Sequence, residues 1–274
     1  MKADLHLHTT ASDGRLEPEA LVRLAIEKGL DTIAITDHDT IDGVVTALAV
    51  AKNLPLLTVI PGVEINTDAP HSEVHVLGYF IDYTDRNLAI SLHHLRDSRK
   101  DRAQKMIVKL GDLGMKIDWQ RVQELAQGGS IGRPHIAKAL LEKGYVSSER
   151  QAFDNYIGRN GPAYVEREKL LPVEAVRLII GAKGLPVLAH PANIDNLDEL
   201  IIELKAAGLV GIEVYYGEYS AGTVDAMLKV AHRYNLIPTG GTDYHAFGHS
   251  TEIMIGQALS PSKSVESLFA LANK

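Results

Sequence analysis

Cysteine is absent from the 274 residues. Its absence excludes disulfides, thiolate nucleophiles, Fe–S clusters and every cysteine-based zinc site, and it suits a cytoplasmic protein. Long hydrophobic runs are missing as well. The opening "MKADLHLH" has no charged stretch leading into an apolar one, so neither a secretory signal nor a membrane span is expected. Excess positive charge is also lacking. A net charge of −7 argues against a protein that coats nucleic acid, though not against a local basic cleft. No glycine-rich phosphate loop follows the first apolar run, which weighs against a nucleotide-binding doubly wound sheet. Histidine, in contrast, is plentiful, with twelve residues.

A chain of this length can bury about three quarters of its unfolded surface. One large domain, or one domain carrying an insertion, is expected. Short apolar runs alternate with helical patterns. "ADLHLH", "DTIAITDH" and "LLTVIPGVEI" read as strands, separated by the helical "EPEALVRLAIEKGL" and "DGVVTALAVAKN". "EVHVLGYF" follows the third strand after only "NTDAPHS", too short for a crossover helix, so strands three and four form a hairpin. Between residues 85 and 165 the pattern is helical without strands: "NLAISLHHLRDSRKDRAQKMIVKLGDLG", "RPHIAKALLEKG" and "SERQAFDNYIG". Alternation then resumes, with strands at "LPVLAHP", "LVGIEVYY" and "LIPTGGTDYH" and helices between them. This is the signature of an α/β barrel. Its body covers residues 1–84 and 166–274, with a helical insertion at 85–165.

In such a barrel the chemistry lies at the C-terminal ends of the strands. Strand one ends in His6 and His8, with Asp13 in the loop beyond; strand two ends in Asp37-His38 and strand three in Glu64. "LAHP" contributes His190, and "GTDYH" contributes Asp243 and His245. His75 starts its strand, yet the start of an antiparallel strand lies beside the end of its partner. Six histidines and three carboxylates thus meet on one rim. A single histidine there would be an ordinary core residue. Nine such groups without cations would leave carboxylates buried and unpaired, which is very unfavourable. Imidazole and carboxylate without thiolate suit Mn, Fe or Zn. Nine ligands exceed one coordination sphere, so about two to three ions are expected. Residues i and i+2 of a strand share a side, so His6 and His8 can grip one ion together.

The motifs "DLHLHTTASDG", "ITDHDT", "GVEI", "HVLGYF", "LAHP" and "GTDYH" resemble the PHP (polymerase and histidinol phosphatase) family of metal-dependent phosphoesterases. The resemblance implies a distorted seven-stranded β/α barrel. It implies a first ion on His6, His8, Glu64 and Asp243, and a second bridged by Glu64 to His75 and His190. Asp13, His38 and His245 would hold a third. Glu64, Asp243 and His245 would stand closest to the reaction. "IGRPHIAKALL" and "GPAYV" in the insertion look like the stand-alone branch. Its members remove phosphate from nucleoside 3′,5′-bisphosphates or trim short RNA from the 5′ end, using a metal-bound hydroxide as nucleophile.

Three divalent ions less three carboxylates would leave a positive site, matched to an anionic phosphate ester. The expected partner is therefore a small phosphate ester, a nucleotide or short RNA, and no protein partner is indicated. Arg133 and His135 begin a helix in "GRPHIA", where free N–H groups favour an anion. Arg96, Arg99 and Arg102 form a charged stripe, ordinarily a solvated face; Arg99 is the candidate phosphate contact among them. Asp37 is either an acceptor orienting a ligand histidine or the cap of a turn. His93 and His94 read as surface residues, and His71, His232 and His249 have no role. Alternative functions are a histidinol-phosphate-type phosphatase, a non-catalytic metal-binding module such as some polymerase-attached relatives, and an amide or lactone hydrolase on a similar barrel.

Overall fold

Seven of the apolar runs become strands of one sheet, in the order β1 to β7 along the chain. The computed structural model describes residues 1–68, 73–126, 129, 131–166 and 170–273. The strands are β1 (Ala3–Leu7), β2 (Thr32–Ile35), β3 (Thr58–Asp68), β4 (Glu73–Tyr79), β5 (Leu185–Leu188), β6 (Gly211–Tyr216) and β7 (Ile237–Gly241). The helices are α1 (Pro18–Glu27), α2 (Asp42–Ala51), α3 (Arg86–Asp112), α4 (Trp119–Leu125), α5 (Arg133–Glu142), α6 (Glu149–Ala152), α7 (Pro172–Gly181), α8 (Leu197–Ala207), α9 (Ala221–Arg233) and α10 (Ser262–Ala272). None of them is long and apolar enough to cross a membrane.

All pairings are parallel except those of β4, which runs antiparallel to both β3 and β5. The short connection after β3 dictates that reversal. β1, β2 and most of β5 are buried on both faces, as strands covered by helices must be. Leu21, Val22 and Ala25 of α1 and Val44 and Ala47 of α2 cover β1 and β2. On the far side, α7, α8 and α9 pack on β3 to β6 through Ile179, Ile201, Leu204 and Ala231.

The sheet curls until β7 meets β1. His8 N–H donates to the Tyr244 carbonyl at 3.0 Å, and the Asp4 carboxylate accepts from Thr242 N, Thr242 Oγ1 and Gly256 N. Gly241 lies where the two strands press together: a Cβ there would meet the His6 backbone nitrogen at 2.5 Å. Gly241→Ala should therefore destabilise by about 1–3 kcal/mol through overpacking. Thermal unfolding checks this, at about 2–4 °C of Tm per kcal/mol for a chain of this size. An unchanged Tm would mean the seam opens without resistance.

Two elements were not legible as such in the sequence. Helix α4 is only about two turns long, behind an Asp118 N-cap. Helix α10 inserts Val265 and Leu268 into the cluster formed by Leu5, Ile60, Leu77 and Val187. The long helix α3 serves two cores. Its first half sets Leu88, Leu92 and Leu95 against the barrel. Its second half sets Ala103, Met106 and Leu110 against Val122, Ile136 and Leu140 of the following helices.

Candidate metal centre

β1 carries His6, and His8 follows its last residue; both are buried, and their rings lie 5.2 Å apart. Beyond β2, His38 makes a parallel bridge to Glu64 of β3. The hairpin register sets His75 opposite Asn66, two residues past Glu64, which brings the start of β4 to the rim. His190 and Asp243 each stand two residues beyond a strand, and both have left-handed backbones, with φ of 26° and 54°. Such conformations hold about 1–3 kcal/mol of strain each and persist only where the surroundings enforce them.

Glu64 is the hub. Its Oε2 lies 3.3 Å from His6 Nε2, 3.4 Å from His8 Nε2 and 2.7 Å from His38 Nδ1. Its Oε1 lies 2.8 Å from His75 Nδ1 and 3.2 Å from His190 Nε2. Asp243 Oδ1 approaches His8 Nε2 at 2.9 Å without hydrogen-bond alignment. Asp13 Oδ1 lies 3.3 Å from His245 Nε2 and 3.9 Å from His8 Nδ1, and its Oδ2 lies 3.9 Å from His38 Nε2. All nine expected groups are thus brought together. Three overlapping sets have their donor atoms within 4.8 Å of one another: His6, His8, Glu64 and Asp243; His38, Glu64 and His75; and His8, Asp13, His38 and His245.

These residues suit divalent cations. His6 Nε2, both His8 nitrogens, Asp13 Oδ1, Glu64 Oε2 and Asp243 Oδ1 are buried without a hydrogen-bond partner. Each such atom is unfavourable by about 1–3 kcal/mol, and all of them belong to the one cluster. Burial opposes a charge on His6, but the carboxylates of Asp243, Glu213 and Glu64 outweigh it and raise its pKa well above the ordinary value. Burial, with His245 and His38 beside it, pushes His8 down to about 3. Burial likewise opposes ionisation of Glu64, yet His38, His6 and His75 hold it well below the usual carboxylate range. Protonated imidazoles here supply the charge that a cation would supply in their stead.

The supporting contacts include residues that the sequence reading missed. Glu213 of β6 is fully buried; His6 Nδ1 donates to its Oε1 at 3.0 Å and the His190 amide to its Oε2 at 2.9 Å. One carboxylate thus fixes a ring tautomer and a strained backbone. A lone acid inside the apolar run "LVGIEVYY" was the available signal. Tyr216 donates to Asp243 Oδ2 at 3.1 Å. Among the described residues, no histidine hydrogen-bonds to the Asp37 carboxylate. It accepts from Thr9 N, Thr9 Oγ1 and Ser12 Oγ and so fixes the loop that carries Asp13, which is the turn-capping alternative.

A model of the PHP domain matches residues 4–166. The chain belongs to the PHP family. A 3′,5′-nucleoside bisphosphate phosphatase from Chromobacterium violaceum is 32% identical over 252 residues, covering 89% of this chain and 87% of that one. The 5′-3′ exoribonuclease Rnm of Escherichia coli K12 is 34% identical over 247 residues, covering 88% and 84%. A solved structure from Bifidobacterium adolescentis, described as a metal-dependent phosphoesterase, superposes with a TM-score of 0.89 at 28% identity, covering 98% of this chain and 96% of that one. The seven-stranded near-barrel is thus the PHP fold.

In this PHP chain the arginine stripe of α3 is not solvated. Arg99 and Arg102 are 6% and 5% exposed, while Arg96 pairs with Asp42. Arg99 Nε donates to Asp39 Oδ2 at 2.6 Å, and its Nη2 is buried without a partner. Arg133 starts α5, donates to Glu73 Oε2 at 2.6 Å and lies 5.6 Å over the Phe153 ring. Arg99, Arg102 and Arg133 line a cavity of about 110 Å³ together with Asp13, His38 and His75 of the cluster. His135 is buried too; its Nδ1 accepts from the Gly132 amide and caps α5. His93 and His94 are exposed. His232 and His249 are exposed as well, and His71 lies outside the described residues.

Proposed function

We propose that this protein hydrolyses phosphate esters of nucleotides, nucleoside 3′,5′-bisphosphates or short RNA, at a cluster of about two to three divalent ions. Mn is the ion expected, with Fe or Zn as alternatives. His6, His8, Glu64 and Asp243 would hold one ion, Glu64, His75 and His190 a second, and Asp13, His38 and His245 a third. The observation that carries this reading is the convergence of nine ligand groups, six of their atoms buried and unpartnered, beside a cavity lined by three arginines. Divalent ions bound there would lower the pKa of water and neutralise phosphoryl oxygens. Glu64, Asp243 and His245 would surround the reacting phosphoryl group. The segment 85–165 would supply the substrate contacts. Arg99 and Arg133 would grip a second phosphate, guanidinium being suited to two-pronged contact with its oxygens, and His135 would offer its remaining ring N–H to the substrate from the neighbouring cavity. Glu213 would keep His6 and His190 in position throughout.

Two measurements test this. Protein reconstituted with Mn should carry about two to three equivalents of metal by elemental analysis, since nine ligands exceed one coordination sphere; one equivalent or less would overturn the multinuclear cluster. The same preparation should release phosphate or nucleotide from a nucleoside 3′,5′-bisphosphate and from short RNA, and not from histidinol phosphate. A preference for histidinol phosphate would make it a small-molecule phosphatase. Metal uptake without turnover of any of these would make it a binding module.

A further inference from the structure

A second cavity adjoins the cluster on the other side of Asp13 and Pro134, residues that it shares with the arginine-lined one. It is about 90 Å³ and is lined by Arg15, Lys138, His135 and Phe247 along with Asp13. A water needs about 10–15 Å³ of such space, so this cavity admits a small tetrahedral anion. Its cations are held in place or left available. Arg15 Nη1 donates to the Phe247 carbonyl at 2.5 Å, and its guanidinium lies 5.0 Å from the Phe247 ring centre. Phe247 in turn stacks on His245 of the cluster at 4.9 Å. Lys138 is half-buried, and no described residue hydrogen-bonds or ion-pairs with it. Two carboxylates oppose these cations: Glu149, 3.7 Å from Arg15 and partly exposed, and Asp13, which faces the histidines. His135 has only one state to offer. Burial, with the cations Arg99, Lys138 and Arg15 around it, keeps it neutral against the pull of Asp13. Since Nδ1 accepts from Gly132 N–H, the ring proton is on Nε2.

We propose that this cavity is an anion subsite for the phosphodiester downstream of the scissile bond, so that the preferred substrate is an oligonucleotide of at least three phosphates. The inference rests on the nucleotide reading above. A bisphosphate uses only the metal cluster and the arginine cavity. In the reaction a water oxygen bonds to phosphorus, the P–O3′ bond breaks, and the electron pair and a proton go to O3′ of the nucleoside whose 5′-phosphate the arginines hold. When the attacked phosphorus is a diester, it stays on the 5′-linked chain, which becomes the 5′-phosphorylated product. The next phosphate of that chain then meets Lys138, Arg15 and the His135 Nε2–H.

The test compares release of the first nucleotide from the dinucleotide pNpN and the trinucleotide pNpNpN, with a nucleoside 3′,5′-bisphosphate assayed alongside, all with Mn. Wild type should prefer the trinucleotide by about tenfold in kcat/KM, the scale of one charge-assisted contact. Lys138→Ala should bring that ratio close to one, Lys138→Glu should invert it, and Lys138→Arg should restore it. Wild type that hydrolyses the bisphosphate and both oligonucleotides without preference would overturn the subsite and leave the functional reading standing. So would a preference that survives Lys138→Glu. Wild type inactive on all three substrates would remove the functional reading, and the subsite with it.

Discussion

Glu64→Gln is expected to abolish hydrolysis, with kcat/KM falling by about a thousandfold or more, roughly 4 kcal/mol of transition-state stabilisation. The expectation follows from the geometry of one side chain. Glu64 is fully buried and reaches His6, His8, His38, His75 and His190 with its two oxygens. An amide keeps the shape but loses the negative charge and one acceptor. Two of the proposed ions would lose their common ligand, so the variant should also bind fewer equivalents of Mn. His93→Ala is the matching control, because His93 is 64% exposed on α3 and pairs with the equally exposed Asp97; its kinetics should stay at wild-type values. Steady-state assays with elemental analysis and circular dichroism decide the matter. A folded Glu64→Gln protein retaining a tenth of the activity would show that Glu64 is not the bridge.

Arg133→Ala is expected to raise KM and lower kcat/KM by about ten- to hundredfold for a substrate with a second phosphate, while an aryl phosphate is nearly indifferent. A charge-assisted contact is worth about 1.5–3 kcal/mol, which gives that range of ratios. The metal cluster can engage only the phosphoryl group under attack. Another cation must hold a second phosphate, and the nine rim groups include none. Arg133 spends one nitrogen on Glu73, which leaves the rest of its fork for an anion. The check is steady-state kinetics on both substrates at saturating Mn. Equal losses would mean that Arg133 serves the cluster or the fold. No loss on either would make the start of α5 structural only.

The nine-group cluster was far more legible in the sequence than its support. Eight of the nine groups lie in a strand or within a few residues of its end, Asp13 lies in the loop after β1, and barrel topology fixes where strand ends go. Even His75, at the wrong end of its strand, could be assigned from the length of the loop before it. Glu213, Asp39 and Tyr216 act through contacts with partners far along the chain, such as His6 at 207 positions from Glu213, and no local spacing encodes those. The arginines of α3 were visible, but their burial was not. A helix face rich in arginine ordinarily meets water, and here Asp39 and the cluster meet Arg99 from the other side. His135 was read as a free group at a helix start, whereas its Nδ1 is committed to the cap. Helix α10 follows the last rim residue and carries no rim group, so its place is set only by the packing of Val265 and Leu268 against the barrel.

Helix α3 has a mechanical consequence. Its 27 residues make a rod about 40 Å long, anchored at one end in the barrel core and at the other in the core of the helices that follow. Arg99 lies near its midpoint, tied to Asp39 of the barrel. The inserted helices therefore cannot swing as a flap on a loose stalk. Any tilt of that segment is transmitted along a stiff beam whose fulcrum is the Arg99–Asp39 pair, beside the cluster. The gap between the arginines and the cluster is set by the bending stiffness of one helix, and a substitution at a buried α3 position such as Met106 would retune it from a distance.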